Sequence, residues 1–168
     1  NGGPTRELTS SNLPLRGGKG SVYEGGLRVP FMTRWTGTLP AGSVYENPVL
    51  SLDIYATAAH LAQAPLPKHR ELDGVNLMPY LTGATAGRPH ELLFWRMNQR
   101  TAVRVDDWKL LRNPGRGVGK EWQLYDLSAD LEETRDLAAD EPGELQRLVE
   151  IWEQINGQMI DPLWQRGG

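Results

Sequence analysis

Glycine and proline punctuate this chain closely, 19 and 12 of them in 168 residues, which predicts many turns and short regular elements. One long amphipathic helix is expected nonetheless. It follows Asp140, placed as its cap, with Pro142 in the first turn, where a missing N–H does no harm. Leu145, Leu148, Val149, Trp152 and Met159 mark its apolar face, with Ile155 at the edge of the stripe. Four strand candidates precede it, at residues 92–96, 101–105, 108–111 and 122–126. Asp106-Asp107 joins the middle two as a hairpin. Four antiparallel strands with one long helix make a small α+β unit. Trp95, Trp108, Trp122 and Trp152 sit at positions suited to its core.

The first half reads differently. Residues 1–28 look like loop, and residues 29–35 a short strand with Pro30 near its start. Ser51 suits a helix N-cap, with Asp53 in the first turn at the positive end of the dipole. Leu52, Tyr55, Ala56 and Ala59, widened by Ile54, Ala58 and Leu61, make this helix so apolar that burial on more than one side is expected. It should end before Pro65. Asp73-Gly74 signals a tight turn and residues 78–81 a single helical turn. A subdomain boundary falls in the small-residue stretch 82–89.

An apolar fraction of 39% and a charged fraction of 23% suit an ordinary globular protein. A net charge of -3 argues against nucleic acid held by bulk electrostatics. No apolar run approaches the roughly 20 residues of a membrane span, so no membrane partner is expected. The chain has no cysteine, which excludes disulfides, thiolate metal sites and a cysteine nucleophile within it. Its start at Asn1-Gly2-Gly3 looks like a chain cut from something longer.

Residues 15–20, Leu-Arg-Gly-Gly-Lys-Gly, invite a phosphate-loop reading that fails. Lys19 is followed by glycine instead of Ser or Thr, Leu13 stands where the first glycine belongs, and no strand–helix pattern flanks the loop. A dinucleotide fingerprint fails for want of a βαβ unit. A flexible turn and an anion site remain. Glycines let backbone approach a ligand closely, and one cation among them can bind a compact oxyanion. The spacing of Lys19, Glu24 and Arg28 would let Glu24 pair with Arg28 and leave Lys19 free.

A set of ordered blocks carries a family resemblance. They are Asn1-Gly2-Gly3, residues 15–20, Tyr23-Glu24-Gly25-Gly26-Leu27-Arg28-Val29-Pro30, residues 51–57, residues 72–81, Ala102-Val103-Arg104-Val105-Asp106-Asp107-Trp108-Lys109-Leu110 and Leu124-Tyr125-Asp126-Leu127. Together they resemble the C-terminal half of type I sulfatases, of the alkaline-phosphatase-like superfamily. One departure is Ala56, where that family usually has proline. The resemblance implies that residues 1–89 complete a catalytic α/β domain and residues 90–168 form a small C-terminal α+β subdomain. It implies hydrolysis of sulfate esters or N-sulfates with a calcium ion and a formylglycine nucleophile.

By the same resemblance, Asn1 matches an amide oxygen ligand of calcium, a hard cation that takes such donors. Lys19 matches the catalytic lysine that binds the sulfate group and neutralises its oxygens as the ester bond breaks. Arg96 and Asn98, with Gln99, either border the substrate pocket or form an ordinary polar hairpin turn. The formylglycine signature, Cys or Ser followed by x-Pro-x-Arg, is absent, as are most of the family's calcium ligands. His60, His69 and His90 do not replace them by spacing, and the latter two are expected to be solvated. Glu132-Glu133 reads as solvated charge.

The expectation is therefore a sulfatase fragment, inactive alone. Its partners would be a sulfated small molecule or glycan and the N-terminal catalytic portion. A non-catalytic binding or assembly module, self-associating through an exposed apolar face, is the alternative. A phosphomonoester or phosphonate hydrolase of the superfamily is another. By resemblance the compartment would be periplasmic or extracellular.

Overall fold

The computed structural model describes residues 11–67, 69, 71–115 and 119–161. Along the chain lie α1 (Glu24–Leu27), α2 (Asp53–Leu61), α3 (Met78–Leu81), β1 (Leu92–Met97), β2 (Arg100–Val105), β3 (Trp108–Arg112), β4 (Gln123–Asp126) and α4 (Pro142–Asn156). They fall into two compact units. One joins the described residues of Asn1–Pro30 to those of Leu92–Gly168; the other is Phe31–Glu91. Residues 11–30 therefore group with the sheet.

The first unit is built on a four-stranded antiparallel sheet in the order β1-β2-β3-β4. Its turns use residues that tolerate positive φ, Asn98 at 56° and Asp106 at 54°. The register aligns Ala102 with Leu111 and Val103 with Leu110, and Leu110 in turn with Leu124. Because side chains alternate between faces, two cores result. Ala102, Leu111 and Tyr125 meet Val22, Tyr23 and Leu127 on one face. Val103, Leu110 and Leu124 meet Leu148 of α4 on the other. A sheet covered on both faces needs apolar residues in succession, which is why Leu110-Leu111 and Leu124-Tyr125 are consecutive.

Helix α4 presents Leu145, Leu148, Val149 and Trp152 to the sheet, as its spacing predicts. Trp152 Nε1 donates to Thr101 Oγ1 at 2.7 Å, and its ring meets Trp122 edge-on at 4.9 Å. The four tryptophans all pack against the two cores. The cap differs from expectation. Glu141 precedes the helix without a side-chain cap bond, and the Asp140 carboxylate pairs with Arg135 at 2.8 Å. Met159 lies beyond the helix and is exposed.

In the second unit, α2 begins at Asp53, and Ser51 makes no capping bond. The buried Asp53 carboxylate turns back to accept from Leu50 N at 2.7 Å and reaches Val75 N at 2.9 Å. One turn later Thr57 Oγ1 accepts from Leu77 N at 2.9 Å. Two side chains four residues apart on one helix face thereby hold the segment after Gly74. A Cβ on Gly74 would sit 2.9 Å from Asp53 N, so only glycine fits this crossing.

Two expectations fail here. Helix α2 is not buried on more than one side: only Asp53 and Ala56 are buried, while Leu52, Ile54, Tyr55 and Leu61 are exposed. Residues 29–35 form no strand, and Val29, Phe31, Met32 and Trp35 are exposed. An extended segment becomes a strand only when a neighbour accepts its backbone bonds, and no described residue does so.

Candidate functional site

The glycine-lysine loop is a fixed turn. Ser21 N and Ser21 Oγ both donate to Gly18 O, at 3.0 and 2.9 Å, while Gly17 and Gly20 take positive φ of 79° and 89°. Beneath it, Gly25 N donates to Arg16 O at 2.8 Å. Asn12 Nδ2 donates to Gly25 O at 2.9 Å and to Gly17 O at 3.2 Å. A Cβ on Gly25 would lie 2.6 Å from Arg16 O and from Gly17 O, and one on Gly26 would lie 2.6 Å from Gly18 O. The Glu-Gly-Gly sequence is therefore a contact surface for the loop, a role the spacing alone did not disclose.

Neighbouring side chains pin the flanks. Arg16 Nη1 donates to Tyr125 OH at 3.0 Å and to Glu133 O at 2.8 Å, and its guanidinium lies 4.1 Å from the centre of the Tyr23 ring. Tyr23 OH donates to Gln123 Oε1 at 2.7 Å. Burial pushes both phenols up from their ordinary value, against the opposing field of Arg16. At the far side Arg100 Nη1 donates to Gly20 O, which ties the loop to the first residue of β2. Lys19 sits between these anchors, exposed, with no ion-pair or hydrogen-bond partner among the described residues. The arrangement offers one cation to solvent on a rigid turn.

Glu24 does not pair with Arg28. Its carboxylate receives Lys109 Nζ at 2.7 Å, and the same ammonium lies 2.7 Å from Glu133 Oε1. Glu24 N donates to Glu133 Oε2 at 2.6 Å. Lys109 and Glu133 are both fully buried, so the expectation of solvated charge at Glu133 is also overturned. Burial holds the Glu133 carboxyl above its ordinary range, partly offset by Lys109 and by the Glu24 amide. The available signal was Lys109 itself. It shares a sheet face with Leu111, where a lysine needs a buried carboxylate.

The other candidates are dispersed. Asn98 is exposed at the β1–β2 turn, two residues before Arg100. Arg96 Nη1 donates to Asn156 Oδ1 at 2.7 Å and Nη2 to Ile160 O, which binds it to the end of α4. Asn1 lies outside the described residues. His60 and His69 are exposed. His90 is not solvated: its Nε2 meets both Asp53 oxygens, at 2.9 and 3.0 Å, with its side chain only 7% exposed. Among the described residues no three His, Asp or Glu side chains are grouped to hold a metal ion. These residues therefore do not fit a calcium centre.

The sequence model of the family described as N-sulphoglucosamine sulphohydrolase, C-terminal, matches residues 18–161. The chain belongs to the sulfatase family. It corresponds to a sulfatase's C-terminal portion, as the ordered blocks implied. Steryl-sulfatase of Rattus norvegicus is 44% identical over 88 residues, 52% of this chain and 15% of its own length. N-acetylgalactosamine-6-O-sulfatase of Bacteroides thetaiotaomicron is 29% identical over 164 residues, 89% of this chain and 32% of its own. The crystal structure of Ps i-CgsB superposes with a TM-score of 0.78 at 31% identity, covering 92% of this chain and 34% of that one. A second structure, of Ps i-CgsB in complex with k-i-k-neocarrahexaose, aligns equally well. This sulfatase chain thus spans between 15% and 34% of the length of these proteins. Both of these relatives are named as sulfatases.

Proposed function

We propose that this chain supplies part of the sulfate-binding wall of a sulfuric ester hydrolase, with Lys19 as the residue that meets the sulfate group. The observation that carries this is the exposed Lys19 ammonium, without a partner among the described residues, on a turn fixed from both sides. The fixed turn sets where the Lys19 side chain starts, and its ammonium, once on the sulfate, stabilises charge that develops on the sulfuryl oxygens as the ester bond breaks. A lysine on a mobile loop would have its backbone to order as well as its side chain, at a further entropic cost.

The rest of the chemistry comes from outside the described residues. A calcium ion, with Asn1 among its ligands, and a formylglycine nucleophile complete the reading by family membership. The chain alone, lacking any nucleophile signature, would turn over no sulfate ester.

The substrate class we favour is a sulfated glycan. The support is the likeness to Ps i-CgsB, whose second structure is in complex with k-i-k-neocarrahexaose, and to N-acetylgalactosamine-6-O-sulfatase. Asn98 would contact the sugar, because Arg100 from its own turn reaches the Lys19 loop. A substrate contact from Arg96 would require it to leave Asn156 and Ile160.

The test uses the natural protein that carries this chain, assayed for sulfate release from a sulfated oligosaccharide and from 4-nitrophenyl sulfate, with 4-nitrophenyl phosphate alongside. Lys19→Ala should lower kcat/KM for sulfate release by about 10²-fold or more. Undiminished turnover in that variant, or a preference for the phosphate ester, would sink the proposal.

A further inference from the structure

Beneath the Lys19 turn lies a buried cluster of one ammonium and two carboxylates, Lys109, Glu24 and Glu133. Its composition is unusual for a stabilising element. A buried ion pair is often no better than apolar side chains of the same size, and here a second carboxylate adds excess negative charge. What the cluster does provide is direction. Lys109 projects from β3, while Glu133 arrives from the chain beyond β4. Both converge on Glu24: Lys109 Nζ on its carboxylate at 2.7 Å, and Glu133 Oε2 on its backbone N–H at 2.6 Å. Backbone and side chain of one residue are thus fixed by two separate elements.

Glu24 opens α1, and the next two residues are the surface on which the turn rests. Gly25 N holds Arg16 O, and Gly25 and Gly26 face Gly17 O and Gly18 O at distances that leave no room for a Cβ. A shift of Glu24 along the sheet therefore passes directly to Gly18 and to Lys19 beside it.

We propose that the Lys109–Glu24–Glu133 triad is the device that positions Lys19, so that Glu133 and Lys109 act on the sulfate subsite through the turn without touching substrate. This rests on the reading of Lys19 as the sulfate contact. Glu133 is a positioning residue whose groups face Lys109 on β3, Glu24 on α1 and, through its carbonyl, Arg16.

The experiment is a double-mutant cycle in the natural protein that carries this chain, read with 4-nitrophenyl sulfate and by thermal melts. Glu133→Gln keeps the shape of the side chain; Glu24→Gln serves if that variant fails to fold. Glu133→Gln should lower kcat about tenfold, through misplacement of Lys19, and leave KM within about twofold. In a Lys19→Ala background the same change should alter kcat by less than about twofold, because the group it positions is gone. The shift in Tm should be equal in both backgrounds.

Equal losses of kcat in both backgrounds, with Lys19→Ala itself impaired, would overturn the positioning inference and leave the role of Lys19 standing. An impaired Glu133→Gln beside a fully active Lys19→Ala would overturn both, since the triad would then serve some other group. Unchanged kcat in Glu133→Gln would overturn the inference alone.

Discussion

The Asp53 carboxylate and the His90 ring lie 2.9 and 3.0 Å apart across 37 residues of sequence. Asp53 is fully buried and also accepts from the amides of Leu50 and Val75. A carboxylate offers only acceptors, so His90 must present Nε2 as a donor. One side chain thus closes the start of α2, the segment after Gly74 and the residue before β1's lead-in.

Asp53→Ala would leave three donors without a partner in the Phe31–Glu91 unit. Each costs about 1–3 kcal/mol, so a loss of at least ~3 kcal/mol is expected. His90→Ala removes one donor and should cost less. Urea titration of both variants, followed by circular dichroism, checks the ranking. A milder effect for Asp53→Ala than for His90→Ala would contradict it.

Gly26→Ala places a Cβ against the backbone of the Lys19 turn, 2.6 Å from Gly18 O. The turn must move, because the obstructing atom is main chain and not a flexible side chain. Destabilisation of about 2–4 kcal/mol is expected. Limited trypsin digestion should show faster cutting after Lys19. Gly143→Ala, where an added Cβ meets nothing within 4 Å, is the neutral control.

Glu133 gives the stability a pH signature opposite to that of an ordinary surface carboxylate. Burial raises its folded value, so between the unfolded value of about 4.3 and the folded one the native state holds the extra proton. Its contribution is therefore most favourable below the unfolded value and declines as pH rises through the folded value. Denaturation midpoints of wild type and Glu133→Gln, compared from pH 4 to pH 7, should show wild type losing ground relative to the variant as pH rises. A pH-independent difference would refute the sign.

Burial should let Tyr23 and Tyr125 hold their protons to higher pH than an ordinary phenol does. The unfolded chain ionises near pH 10, so stability should fall as pH climbs beyond that point. Spectrophotometric titration of wild type against Tyr23→Phe and Tyr125→Phe should show that each substitution removes a phenol ionising above the ordinary range.

Much of the sheet was legible in advance because its signals are local. The short apolar runs at 101–105 and 108–111 with Asp106-Asp107 between them, and the alternation over 122–126, define strands and hairpin without reference to distant chain. The α4 stripe is legible for the same reason. The partners of charged residues were not. Glu24 has Arg28 four residues away and Lys109 85 residues away, and it takes the distant one. Sequence proximity favoured the wrong cation because burial, which only the tertiary fold confers, decides the pairing. The same holds for Glu133 and His90, which look like surface residues until the elements covering them are in place. Residues 29–35 carry a strand's composition but lack the neighbour that would make them one. The reading of Lys19 as a sulfate contact rests on the ordered blocks around it, whereas the turn that carries it is held by Arg100 and Asn12, which no spacing rule connects to it.

The sheet draws one cover from residues 12–30 and the other from α4, so its two lids come from opposite stretches of the chain. During synthesis the first lid leaves the ribosome long before β3 exists to receive it, since Glu24 waits 85 residues for Lys109 and 109 for Glu133. Such distant closures slow folding and expose apolar strands meanwhile. A gene fragment cut at the start of β1 would consequently yield a sheet with one bare face, prone to stick to its neighbours.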